Sequence, residues 1–273
     1  MEKYVIFTDI DGTLLNDKHQ ITPQTKEALM TLQEQGHALV LASGRDMSSL
    51  SQIGQTLNIH KYQQSGYIAL NGLEICDYNN QCLHKEQRFQ KEDVQILSEL
   101  AKSKDVDMVI FFRDCIYILE YDQNGIMEQH FIDREKHIVH DIKDIPDHYY
   151  DDIKKVAFIK EVEAMNEILE EIQVSMASQY EICKVEDNWV EINPLGATKG
   201  KALKKYIDIK NKDIKHTIAF GNGENDIDML QNAGIGVAMS NAFDTVKNAV
   251  KYICLDNNHD GIAMFLKEME IWR

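Results

Sequence analysis

Basic charge, proline and long apolar runs are all scarce in this chain, and its few cysteines are scattered. Its 273 residues carry 29 Lys and Arg against 45 Asp and Glu, a formal net charge of −16 at pH 7. A polyanion such as nucleic acid is repelled by that balance unless a local basic patch compensates. The densest basic segments, Lys204-Lys205 and Lys210 to Lys215, are short and mixed with Asp. They read as solvated faces, and no nucleic-acid partner is expected. No segment approaches the roughly 20 apolar residues that span a bilayer, so no membrane span is expected either. Met1-Glu2-Lys3 leads directly into an apolar run, unlike a secretory signal peptide. The five cysteines (Cys76, Cys82, Cys115, Cys183, Cys254) are odd in number and include no C-x-x-C pair. That argues against a disulfide framework or a zinc site and for reduced thiols in a cytoplasmic protein. The hydrophobic content of 44% is globular, and the length suits one large domain or two modest ones.

What the chain does have is concentrated near its start. Tyr4-Val5-Ile6-Phe7 is an apolar run that ends in Thr8-Asp9-Ile10-Asp11-Gly12-Thr13. Such a run bounded by Asp and Gly reads as a buried strand ending in a turn. In an open parallel sheet, ligands bind at the carboxyl ends of the strands. Two carboxylates there suit a divalent cation held through oxygen, with one free to attack and the other to move protons. The competing reading is an acidic turn that only caps the next segment. At average residue frequencies, Asp-x-Asp-Gly-Thr arises by chance in roughly one chain in several hundred of this length.

The first hundred residues alternate strand and helix. Thr22 and Pro23 form an N-cap and first helical position, Ala28, Leu29 and Leu32 share a helical face, and Gly36 is a natural stop. His37 to Ala42 reads as a second strand, ending at Ser43-Gly44-Arg45, with a helix expected from about Asp46 to Leu57. Tyr67 to Leu70 reads as a third strand, and Asn71-Gly72 before Leu73-Glu74-Ile75 predicts a tight hairpin. From about Leu83 the charge density rises and the strands alternate more, as in Met108 to Phe112 and Cys115 to Leu119. Met165, Ile168, Leu169 and Ile172 give a helical stripe. This stretch, to about Trp189, reads as a separate α+β unit. Alternation of strand and helix then returns: a helix from Lys199, a strand from Thr217 to Phe220, a helix over Asn225 to Ala233, and two short strands before a final helix from Gly261. Right-handed crossovers join these segments to the first ones in one parallel sheet. The expected fold is therefore α/β, a Rossmann-like parallel core (1–82 and 190–273) with an inserted α+β domain (83–189).

Three more segments stand where chemistry is placed. Ser43-Gly44-Arg45 offers a hydroxyl and backbone amides at a helix start, suited to a phosphate oxygen or to plain helix capping. Lys199, in Pro194-Leu195-Gly196-Ala197-Thr198-Lys199-Gly200, is a cation able to neutralise a nucleophile and a phosphate together, or a solvated lysine. Gly221-Asn222-Gly223-Glu224-Asn225-Asp226 is an oxygen-rich turn able to complete a metal site, or a set of helix caps.

In that order the four segments resemble the haloacid dehalogenase-like phosphatases, specifically the Cof-type sugar-phosphatase branch. The resemblance extends to Asn71-Gly72 and Met239-Ser240-Asn241-Ala242 and ends at Asn258-His259-Asp260-Gly261. It implies that the inserted unit is the α/β cap of that branch. It implies Asp9 as the nucleophile, forming an aspartyl-phosphate, and Asp11 as the general acid and base. Thr13, Ser43, Gly44, Arg45, Lys199 and Asn225 are implied on the phosphate, and Mg²⁺ between Asp9, the Asp11 carbonyl, Asn222 and Asp226. The implied function is a Mg²⁺-dependent phosphatase of small phosphomonoesters, sugar phosphates or phosphorylated cofactors. The same resemblance also admits a phosphotransferase or mutase, or a weakly catalytic phosphate-binding protein. One position departs from the branch: Asn222 stands where Asp is usual, so one ligand charge is lost and weaker Mg²⁺ binding is expected. Phe111, Phe112 and Trp189 are expected to pack in the cap core rather than stack on a substrate ring.

Overall fold

A computed structural model of the chain describes residues 3–85, 89–112, 115–121, 135–176, 180–194 and 197–272. Met1, Glu2, Leu195 and Gly196, used in the reading above, lie outside the described residues. The chain divides into two compact units, residues 1–86 with 197–273 and residues 87–196.

The first unit is built on β1 (Val5–Thr8), α1 (Pro23–Glu34), β2 (Ala38–Ala42), α2 (Met47–Thr56), β3 (Gly66–Ala69), β4 (Glu74–Asp77) and β5 (Cys82–Lys85). From the distant part of the chain come the elements that follow the second unit, beginning with the helix Lys199–Ile209 and the strand Thr217–Gly221. They continue with the helix Ile227–Asn232, the strand Ile235–Met239, the helix Asp244–Asn248, the strand Tyr252–Cys254 and the helix Gly261–Glu268. The second unit supplies α3 (Lys91–Ser103), β6 (Asp107–Phe111), β7 (Cys115–Leu119), β8 (Glu135–Val139), β9 (Lys155–Ile159), α4 (Val162–Met176), β10 (Tyr180–Glu186) and β11 (Trp189–Pro194). In chain order the returning elements are therefore α5, β12, α6, β13, α7, β14 and α8.

The core sheet runs β14-β13-β12-β1-β2-β3-β4-β5. All pairs from β14 to β3 are parallel, and β3-β4 and β4-β5 are antiparallel. Its central strands are buried throughout and mostly apolar because both faces are covered, as parallel sheets require. The alternation within them sorts side chains to the two layers. Ile6, Leu39, Leu41, Ile218 and Phe220 join Leu29, Leu32, Leu50 and Phe265 of α1, α2 and α8. Val5, Phe7, Val40 and Ala219 join Leu203, Tyr206, Met229 and Val246 of α5, α6 and α7.

In the second unit the order is β10-β11-β9-β6-β7-β8, antiparallel except for β7-β8. One face, with Met108, Ile110, Phe158 and Ile192, packs on Val94, Leu97, Met165 and Ile172 of α3 and α4. Phe112 belongs to that core, edge-on to Tyr117 at 5.6 Å. Phe111 lies on the other face with Val109, Ile116 and Trp189, so the two adjacent aromatics part company, as strand alternation dictates.

Three local expectations need correction. Thr22 stands at the N-cap of α1 but its side chain makes no cap bond. Its hydroxyl donates to Asp260, whose Oδ1 accepts from the Thr25 N–H at 3.2 Å and so caps the helix from 235 positions away. The hairpin at Asn71-Gly72 is not a two-residue turn: Ala69 pairs with Glu74, leaving Leu70 to Leu73 as the connection. The inserted unit begins and ends later than 83–189, because β5 pairs in the core sheet through β4 and β11 pairs between β9 and β10.

Candidate active site

The strand order explains why distant residues meet. β1 lies between β12 and β2 with Thr8 in register with Phe220 and Leu41. The three strands therefore end side by side, at Asp9, at Gly221-Asn222 and at Ser43. The Asp9 N–H continues the ladder to the Phe220 carbonyl at 3.0 Å. The start of α5 brings Lys199, capped by Thr198, whose hydroxyl accepts from the Lys201 N–H at 3.1 Å.

Lys199 is 1% exposed, and its Nζ donates to Asp9 Oδ1 at 2.7 Å and Asp226 Oδ1 at 2.6 Å. Asp226 is fully buried, and its Oδ2 accepts from the N–H groups of Asn222 and Gly223, both at 2.9 Å. Burial opposes the Lys199 charge, but Asp226 and Asp9 outweigh it and hold the ammonium protonated. Burial, reinforced by the Asp226 charge and opposed by Lys199, pushes the Asp9 carboxyl up to about 7. One ammonium between two buried carboxylates leaves a net negative charge, which a cation at the free edge of Asp9 would offset.

That edge has a definite composition. One terminal atom of the Asn222 amide stands 2.6 Å from Thr13 Oγ1, 2.8 Å from the Asp11 carbonyl oxygen and 3.3 Å from Asp9 Oδ2. With nitrogen in that position the amide's two N–H groups have these three oxygens as acceptors, the two nearest being Thr13 Oγ1 and the Asp11 carbonyl. With oxygen there, the Asn222 amide oxygen stands 2.8 Å from the Asp11 carbonyl oxygen and 3.3 Å from Asp9 Oδ2. Neighbouring ligands on an octahedral ion with bonds of 2.0–2.1 Å lie about 3 Å apart, so the spacing fits a small divalent cation. Among the described residues no three His, Cys, Asp or Glu side chains gather in this way; the donors here are one carboxylate, one main-chain carbonyl and one amide.

Asp11 turns its carboxylate away from this cluster. Arg45 grips it with Nε to Oδ2 at 2.7 Å and Nη2 to Oδ1 at 2.5 Å, while Nη1 donates to Ser49 Oγ at 3.1 Å. The bond to Asp11 holds the Arg45 guanidinium above its ordinary pKa despite partial burial. Ser43 is buried, with its N–H on the Ile68 carbonyl and its Oγ accepting from the Arg45 N–H. The Gly44 N–H between them has no acceptor among the described residues.

The structure thus brings together Asp9, the Asp11 carbonyl, Thr13, Asn222 and Lys199, with Ser43 and Gly44 on the neighbouring strand end. Three expected roles change. Asp226 is not a free cation ligand, since Lys199 and two backbone N–H groups occupy its oxygens. Arg45 is committed to Asp11 rather than open to a phosphate. Asn225 directs its Nδ2 to Asn71 Oδ1 at 3.1 Å. Asp228 was missed altogether: it accepts from the Thr198 hydroxyl and, at 2.5 Å, from Asn232 Nδ2, and so steadies the start of α5. Its only signal in sequence was a third acid close behind Asn225-Asp226.

The chain is similar to known proteins over nearly its whole length. A family model described as haloacid dehalogenase-like hydrolase matches residues 6–266. The chain is 27% identical over 263 residues to a 5-amino-6-(5-phospho-D-ribitylamino)uracil phosphatase of Bacillus subtilis, covering 96% of this chain and 94% of that one. It is also 27% identical to the pyridoxal phosphate phosphatase YbhA of Escherichia coli, covering 97% of each. A solved subclass IIB sugar phosphatase superposes with a TM-score of 0.79 at 25% identity, over 98% of this chain and 100% of that one. With the match running through nearly all of both sheets and every segment of the site, the chain belongs to the haloacid dehalogenase-like hydrolases.

Proposed function

We propose that the protein is a Mg²⁺-dependent phosphatase of small phosphomonoesters that works through an aspartyl-phosphate on Asp9. The observation that carries this reading is the asymmetry of Asp9, with Oδ1 held by buried Lys199 and Oδ2 3.3 Å from the Asn222 amide atom that also meets the Asp11 carbonyl and Thr13. Asp9 attacks phosphorus; the Asp9 O–P bond forms as the bond to the leaving oxygen breaks. Asp11, released from Arg45, gives its proton to the departing alkoxide. It then takes a proton from the water that cleaves the acyl phosphate, which frees orthophosphate and restores Asp9. Lys199 and the Gly44 N–H serve the phosphoryl oxygens. Asp9, the Asp11 carbonyl and Asn222 are the residues that would hold Mg²⁺. The ion supplies charge against a nucleophile–phosphate repulsion of about 4 kcal/mol at 4 Å and an effective dielectric of 20.

Small substrates are favoured by the acidic chain and by the named activities of the relatives, which act on a ribitylaminouracil phosphate and on pyridoxal phosphate. The unit of residues 87–196 is assigned the choice among such substrates. The test is release of inorganic phosphate from a panel of phosphorylated metabolites in millimolar Mg²⁺. Wild type is expected to turn over at least one, and Asp9→Asn to lose 1,000-fold or more, on the order of 4 kcal/mol of transition-state stabilisation. Undiminished activity in Asp9→Asn would overturn the mechanism, and a phosphorylated acceptor in place of free phosphate would make the protein a phosphotransferase.

A further inference from the structure

The connection between β3 and β4 has no part in the chemistry proposed for the site, yet it touches three of the four site segments. Its Leu70 N–H donates to the Arg45 carbonyl and its Asn71 N–H to the Ser43 carbonyl, both at 3.0 Å. The Asn71 side chain accepts from Asn225 Nδ2 at 3.1 Å and is 4% exposed. It also packs against Gly44, where a Cβ would stand 3.3 Å from both Asn71 amide atoms. Gly72 meets the cap of the Lys199 helix: a Cβ there would stand 2.5 Å from the Thr198 carbonyl oxygen. The turn adopts a backbone that most residues resist, with φ of 53° at Leu70, 53° at Asn71 and 110° at Gly72. Each non-glycine residue in that region costs about 1 kcal/mol or more. Asn is among the side chains that tolerate it best. Left-handed backbone at two successive non-glycine residues persists only where surrounding bonds over-determine it.

Resting on the phosphatase reading, we propose that Asn71 is a positioning residue for phosphoryl transfer. From one turn it sets the Ser43-Gly44-Arg45 loop, so that the Gly44 N–H stays aimed and Arg45 keeps its reach to Asp11. Through Asn225 it ties that loop to the turn carrying Asn222 and Asp226. Gly72 lets the same turn sit flush on the helix that carries Lys199. A displacement of the loop by a fraction of an ångström weakens a transition-state bond far more than it weakens substrate binding.

The obvious variant, Asn71→Ala, introduces strain and can fail by misfolding. Asn71→Gly accepts the left-handed backbone and removes only the amide, so it is the decisive one. Turnover and hydrogen exchange at residues 43–45 are read together in wild type, Asn71→Gly, Asn225→Ala and the double variant. Asn71→Gly is expected to melt within a few degrees of wild type, to lose ten- to hundredfold in kcat with less than a threefold change in KM, and to speed exchange at 43–45 at least tenfold. Adding Asn225→Ala is expected to cost less than threefold more, because the tie is already broken. A kcat within twofold of wild type, or unchanged exchange, would overturn the proposal. A wild-type chain with no turnover on any phosphomonoester would remove the phosphatase reading, while exchange at 43–45 would still decide whether Asn71 holds the loop.

Discussion

A neutral amide at Asn222 decides how the whole site balances charge. Its terminal atom lies 2.8 Å from the Asp11 carbonyl oxygen and 3.3 Å from Asp9 Oδ2, and in the absence of a cation its nitrogen relieves crowding among those oxygens. An aspartate there has only oxygens to offer. Asn222→Asp is therefore expected to lower stability without Mg²⁺ by about 1 kcal/mol, the cost of a half-buried acceptor left against acceptors. It is expected to regain that stability as Mg²⁺ is added and to need about tenfold less Mg²⁺ for half-maximal activity, since affinity follows ligand charge. Denaturant melts with and without Mg²⁺, beside a Mg²⁺ titration of turnover, check both halves. Equal stability in chelator and an equal Mg²⁺ requirement would show that the amide does neither job.

Among the elements, α1 shows both what local sequence reveals and what it conceals. Its start at Pro23, its buried stripe of Ala28, Leu29 and Leu32, and the reversal at Gly36 (φ 91°) were legible, because each depends on neighbours within a turn or two. The cap was not, since the acceptor of the Thr25 N–H comes from Asp260. Asp260→Ala is expected to cost about 1–2 kcal/mol of unfolding free energy, from the lost cap and from Ala at a left-handed position. A denaturant midpoint unchanged from wild type would show α1 to be held by packing alone. The same distinction runs through the site. Asp9, Lys199, Ser43 and Asn222 could be placed because each follows a recognisable strand or helix signal. The partners of Arg45, Asp226 and Asn225 could not, because they lie 34, 27 and 154 positions away. The strand order of the second unit escaped for the same reason, since β9 pairs with β6 and β11 across long stretches of chain.

For the molecule as a whole, two hydrophobic cores matter most. Among the described residues, the clusters around the core sheet draw on residues outside 87–196 and the clusters of the second sheet on residues within it. Each unit therefore has a hydrophobic core of its own. Scanning calorimetry is expected to give a calorimetric enthalpy above the van't Hoff value, or two resolved transitions. Equality of the two enthalpies would mean that the units unfold together.

The central position of β1 has a further consequence during synthesis. β2 and β3 follow Val5–Thr8 closely in the chain and can dock on one of its edges soon after it is made. The other edge waits for Thr217–Gly221. At 5–20 residues per second that delay lasts roughly 10–40 s. Through that interval the nascent chain carries an open apolar strand and an Asp9 without its lysine, a template for mispairing with neighbouring chains on the same messenger. Residues 87–196 are translated entirely within that window, so their speed of synthesis sets how long this edge stays bare.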